Sequence, residues 1–120
     1  MKSLIIAIAI ISLSAVFSVN AMTFGAYKKE KVAKPTVLAF YLNAVGNGMS
    51  WSNTQLRSEG RDPLYCEPAS FAMNGDNYIQ IVDNFVAGLP PPALPGDTPV
   101  EMLLVKALVK NFPCPKAQGG

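Results

Sequence analysis

The chain contains no histidine among its 120 residues. The commonest general base and the commonest metal ligand are therefore missing. Cysteine is nearly missing too, with Cys66 and Cys114 alone, and no C-x-x-C that a thioredoxin-like redox site would need. Charged residues make up only 15% of the chain. No nucleophile elbow or phosphate-cradling glycine loop occurs. The carboxylates, Glu30, Glu59, Asp62, Glu67, Asp76, Asp83, Asp97 and Glu101, scatter near turns and helix starts, and nothing selects a catalytic pair. Neither an enzyme nor a cofactor is expected. Strand-like alternation is scarce, with Ile79 to Val82 as the one short exception. After the first twenty residues no second long apolar run follows.

That first run is the clearest feature present. Met1-Lys2 gives a positive start, Leu4 to Phe17 is almost wholly apolar, and Ser18-Val19-Asn20-Ala21 supplies small residues. A charged start, a short apolar core and an A-x-A-like end define a secretory signal. Val19 and Ala21 fit the recognition positions, which places the cut between Ala21 and Met22. The alternative is an uncleaved anchor. A spanning helix needs about 20 consecutive apolar residues, and this run is shorter and broken by Ser12 and Ser14. No cysteine stands at the cut, which argues against a lipoprotein. Residues 1–21 are read as the signal, and the mature protein is expected in the periplasm, with no membrane span after cleavage.

Residues 22–34 carry little periodicity and read as a flexible arm. Its lysines, Lys28, Lys29, Lys31 and Lys34, are interrupted by Glu30 and lack interleaved aromatics, so no nucleic-acid partner is expected. Pro35 suits a helix start, where its missing N–H costs nothing. Leu38, Tyr41, Leu42, Val45 and Met49 then recur on one helical face. Phe40 and Ala44 are read as widening it, and the helix is expected to run to about Ser58. Gly46 and Gly48 each cost up to about 1 kcal/mol there relative to alanine. Close approach of another backbone is one reason for them, and a kink is the other. Gly60 can end the helix in the left-handed conformation.

Pro63 and Pro68 hold an extended connector on either side of Cys66. Asn74 and Asp76 signal a second helix start, with Tyr78, Ile81, Val82, Phe85 and Leu89 on its buried face and Gly88 at its end. Leu89 to Gly96 is a proline-rich spacer. Thr98-Pro99-Val100-Glu101 reads as a capping box, with Thr98 as N-cap, Pro99 at the first position and Glu101 at the third. Val100, Leu103, Leu104, Ala107 and Leu108 then face inward. The fold class is all-α: a small domain of three to four helices over residues 35–115, closed by one disulfide and followed by a disordered tail at 116–120.

Three segments carry a resemblance. Tyr41-Leu42-Asn43-Ala44-Val45-Gly46-Asn47-Gly48, then Cys66-Glu67-Pro68, then a last helix closing in Phe112-Pro113-Cys114 resemble the Rap/Tai family of periplasmic immunity proteins. The resemblance spans about Phe40 to Cys114. It implies a small exported helical protein, associated with type VI secretion, that binds and neutralises a peptidoglycan-degrading effector. Leu38 stands where many relatives carry a further cysteine, so one bridge is expected here where they hold more. The motifs are structural, and none marks a contact position. By residue type alone, Trp51, Arg61 and Tyr65 are candidate partner contacts, with core packing as the competing role for Trp51 and Tyr65. The partner is expected to be a cell-wall hydrolase, and a second copy of the chain is a further candidate. The alternative function is a general structural or chaperone-like periplasmic protein with no toxin partner.

In an exported protein an even cysteine count favours pairing. A Cys66–Cys114 bridge closes a loop of about 50 residues, worth on the order of 4 kcal/mol in the chain-entropy account. Cys66→Ser and Cys114→Ser should therefore destabilise about equally, and the double variant should add little. Chemical denaturation measures this, and thiol titration of the unfolded, unreduced chain should find no free thiol.

Overall fold

A computed structural model describes residues 21–68, 72–92 and 94–116. Four helices make up the fold: α1 (Phe24–Ala33), α2 (Pro35–Ser58), α3 (Gly75–Ala87) and α4 (Val100–Asn111). The expected signal, apart from Ala21, and the tail beyond Lys116 lie outside the described residues. So does Phe71 of the connector. No helix among the described residues is long and apolar enough to cross a membrane.

Helix α1 corrects the expectation of a flexible arm at residues 22–34. Its sequence has no amphipathic stripe, and two aromatic anchors hold it instead. Phe24 and Tyr27, one turn apart, are buried and stack with ring centroids 6.0 Å apart. The Tyr27 hydroxyl donates to Asp83 Oδ1 on α3 at 2.8 Å, and Lys31 pairs with the same carboxylate. Thr23 caps the helix by accepting from the Ala26 N–H at 3.1 Å. Pro35 then forbids continuation, because a proline pushes the preceding residue out of the helical region. Lys34 adopts φ −144° and ψ 62°, and the chain turns between α1 and α2.

Helix α2 begins at Pro35 and ends at Ser58, as its periodicity predicts. Leu38 and Leu42 are fully buried, while Tyr41, Val45 and Met49 pack partly against the core. Gly60 closes it with φ +70°, the Gly60 N–H donating to Arg57 C=O and the Arg61 N–H to Leu56 C=O. This double reach-back satisfies carbonyls that the helix end leaves open, and glycine takes the left-handed turn without steric cost. The helix runs without a break through its glycines. A Cβ on Gly46 would lie 2.2 Å from the buried Tyr78 ring of α3, whereas one on Gly48 would meet nothing.

Helix α3 starts in a reciprocal capping box: Asn74 accepts from the Asn77 N–H, and Asn77 accepts from the Asn74 N–H, each at 3.0 Å. Its first residue, Gly75, is buried where a Cβ would stand 1.9 Å from the Ala39 carbonyl oxygen of α2. Tyr78 and Val82 complete its core contribution. Helix α4 buries Val100, Leu103, Leu104, Ala107 and Leu108, as its pattern predicts.

The start of α4 departs from the expected capping box. Pro99 is the N-cap, and no side chain caps the helix. A short antiparallel pairing between Thr23 and Pro99 replaces it. The Val100 N–H donates to Met22 C=O and the Phe24 N–H to Thr98 C=O, each at 2.8 Å. The backbone of the N-terminal segment thus supplies the acceptor that Thr98 was expected to offer, and Glu101 is freed to reach Met22.

Buried Asn53 of α2 fixes the connector. Its Nδ2 donates to Tyr65 C=O at 3.0 Å and its Oδ1 accepts from the Leu64 N–H at 2.9 Å. The Cys66 N–H donates to Phe112 C=O at 2.8 Å, and Cys66 and Cys114 are joined in a disulfide. Leu64 is exposed, while Tyr65 beside it is fully buried.

The glycines separate by what surrounds them. Gly75→Ala should destabilise by about 3 kcal/mol and Gly46→Ala by about 1–3 kcal/mol, since both overpack a filled interior. Gly48→Ala should stabilise by up to about 1 kcal/mol. Equilibrium denaturation of the three single variants reads the contrast.

Candidate functional site

Four of the carboxylates are occupied in holding the fold. Asp83 takes Tyr27 and Lys31, Glu59 takes Gln55 and Arg61, Glu67 takes Ser50, and Glu101 takes Tyr41 and the Met22 N–H. Among the described residues no group of three or more cysteine or acidic side chains is arranged to hold a metal ion.

The surface also carries a large apolar face. Helix α2 is 24 residues long, and its core-facing stripe covers only one side. Val37, Phe40, Ala44, Gly48 and Trp51 fall within an arc of roughly 80° on the other side, at 100° per residue. Their exposures are large: 61% for Val37, 79% for Phe40 and 74% for Trp51. The two aromatic rings are 11 residues apart on one helix, about 16 Å along its axis. Ala44 and Gly48 between them leave a low saddle, since a Cβ on Gly48 would meet open space. Beside Phe40 a shallow groove of about 280 Å³ runs between Asn43 of α2 and the Asn74-Gly75-Asp76 start of α3. This combination, large apolar side chains ringed by polar groups, is that of protein interaction surfaces.

Of the three candidate contacts, only Trp51 lies on this face. Tyr65 is fully buried and cannot touch a partner. Arg61 is exposed but sits beyond the α2 terminus, where it pairs with Glu59 at 3.4 Å. Phe40 and Val37 were missed as surface residues, and Phe40 and Ala44 do not widen the core face. The signal was in the letters: Val37, Phe40, Ala44 and Trp51 recur at i, i+3, i+7 and i+14, a second stripe displaced from that of Leu38, Leu42 and Val45.

The tyrosines behave as structural groups. All four, Tyr27, Tyr41, Tyr65 and Tyr78, have pKa values pushed above the ordinary phenol range, first by burial. Hydrogen bonds to carboxylates add to this in Tyr27 and Tyr41. For Tyr65 the nearby Glu67 adds a repulsive contribution, and its buried hydroxyl has no hydrogen-bond partner among the described residues.

Comparison with known proteins finds no family model, no curated protein and no solved structure that matches this chain.

Raised phenol pKa values favour the folded state only while the phenols stay protonated. Their contribution is complete below about pH 10, the ordinary phenol value, and is lost as pH rises above it. Ultraviolet titration should show no tyrosine ionising near pH 10 in the folded protein, with all four ionising there in denaturant.

Proposed function

We propose that the protein is an exported binding domain, delivered to the periplasm by its first 21 residues, that neutralises a peptidoglycan-degrading effector by covering it. The observation that carries this reading is the unpartnered α2 face of Val37, Phe40 and Trp51 on a disulfide-closed scaffold. Exposed aromatic side chains of this kind dominate the energetics of protein interfaces. A helix tied down by α3, Asn53 and the bridge presents them at little entropic cost on binding. The resemblance of the Tyr41 to Gly48, Cys66 to Pro68 and Phe112 to Cys114 segments to the Rap/Tai immunity proteins supports the choice of partner class.

The same face also suits a general periplasmic chaperone, because exposed apolar surface is what such proteins offer to unfolded clients. The two readings separate in one series. Cells given a periplasm-directed peptidoglycan hydrolase effector should survive when this chain is co-expressed. The Phe40→Ser/Trp51→Ser double variant should lose that protection while its melting temperature changes little, both side chains being exposed. Protection that is absent for every effector tested, together with suppression of client aggregation by the wild-type chain, would favour the chaperone reading instead.

A further inference from the structure

Met22 sits at the centre of a small polar cluster that joins three parts of the chain. Its backbone N–H donates to Glu101 Oε1 of α4 at 3.1 Å. The Tyr41 hydroxyl of α2 donates to the same oxygen. The other oxygen, Glu101 Oε2, is buried and has no hydrogen-bond partner among the described residues. Met22 itself is held from the opposite side, its C=O accepting from the Val100 N–H, next to the Thr23–Pro99 pairing. A carboxylate with two donors crowded on one oxygen and none on the other is poorly satisfied, and a buried, unpaired charged acceptor is costly.

The expected processing site supplies what is missing. Hydrolysis of the Ala21–Met22 peptide bond by a signal peptidase adds one water. The Ala21 carbonyl gains the oxygen and leaves as a carboxylate, and both hydrogens end on the Met22 nitrogen, which becomes an ammonium. A single amide donor is thereby converted, at the same atom, into three donors and a full positive charge. An α-amino group is ordinarily protonated at neutral pH, with a pKa of about 8.

We infer that Glu101 and Tyr41 form a socket for the α-ammonium of Met22, so that processing completes the fold with an ion pair the precursor cannot make. This rests on the export reading of residues 1–21. The socket explains why Glu101 turns away from the start of its own helix, where a glutamate three residues after a threonine ordinarily bonds the cap. It also gives a role to the Thr23–Pro99 pairing, which fixes the position of Met22.

The test compares two oxidised chains prepared from cleavable fusions, one beginning at Met22 and one retaining Ser18 to Ala21 before it. Every described residue except Ala21 lies within the shorter chain, so its folded elements are intact. The Met22 chain should melt about 5 °C higher at pH 7, the shift that a single partly buried ion pair gives a domain of this size. In the Glu101→Gln background the difference between the two chains should vanish. Equal melting of the wild-type pair, or a difference that persists in full in the Glu101→Gln background, overturns the socket. If the substituted chain fails to fold, selective acetylation of the Met22 amine in the wild-type chain reads the same interaction: it should lower melting to that of the longer chain, and no change overturns the inference. The N-terminal residue of protein recovered from the periplasm tests the export reading separately. A start other than Met22 overturns processing as the source of the amine, whatever the melts show.

Discussion

Helix α3 comes close to α2 at two points where a side chain is given up. Gly75 places the first turn of α3 directly on the Ala39 carbonyl, and Gly46 makes room for the Tyr78 ring one turn further along. The rest of the arrangement depends on this crossing. It buries Leu38 and Leu42 against Tyr78 and Val82, and it places Asp83 where Tyr27 and Lys31 of α1 reach it. Because α3 and α4 occupy one side of α2, the opposite side is left bare. The surface of Val37, Phe40 and Trp51 is thus a consequence of where the glycines let the helices meet.

Two irregular segments are stabilised by similar means. The connector after α2 has no secondary structure of its own, so its buried polar groups must be paired elsewhere. Asn53 pairs two of them, the end of α4 pairs a third, and the disulfide makes the attachment covalent. The N-terminal segment is attached to the start of α4 by backbone hydrogen bonds and by Glu101. Helix α4 is therefore anchored at both ends, at Met22 and at Cys66. This compensates for the proline-rich spacer before it, which cannot position a helix unaided.

The proposed function rests on a surface, the exposed α2 face of Val37, Phe40 and Trp51. The carboxylates of Asp83, Glu67 and Glu101 are engaged by side chains of other elements, and burial raises the pKa of the four tyrosines. A rigid helix carrying two aromatic rings about 16 Å apart, with a low saddle between them, suits recognition of a shaped protein surface better than capture of a small ligand.

Local chemistry dictates the all-α class, the limits of α2, the buried stripe of α4, the Asn74 start of α3, the Gly60 turn and the pairing of Cys66 with Cys114. Each is a matter of periodicity, capping or cysteine count, where one residue type has one cheap conformation, and each was legible in the letters. The remainder came from packing between elements. Helix α1 has no periodic stripe: Phe24 and Tyr27 bury it, and Tyr27 ties it to Asp83, a residue more than fifty positions away. The motif at Thr98 to Glu101 reads as a cap until Met22 and Thr23 arrive to pair with the backbone there. Phe40 and Trp51 are set apart from the buried Leu38 and Leu42 by their phase along α2. Their exposure was set when α3 docked at Gly46 and Gly75, since a helix has two sides and only its neighbours determine which one stays in water.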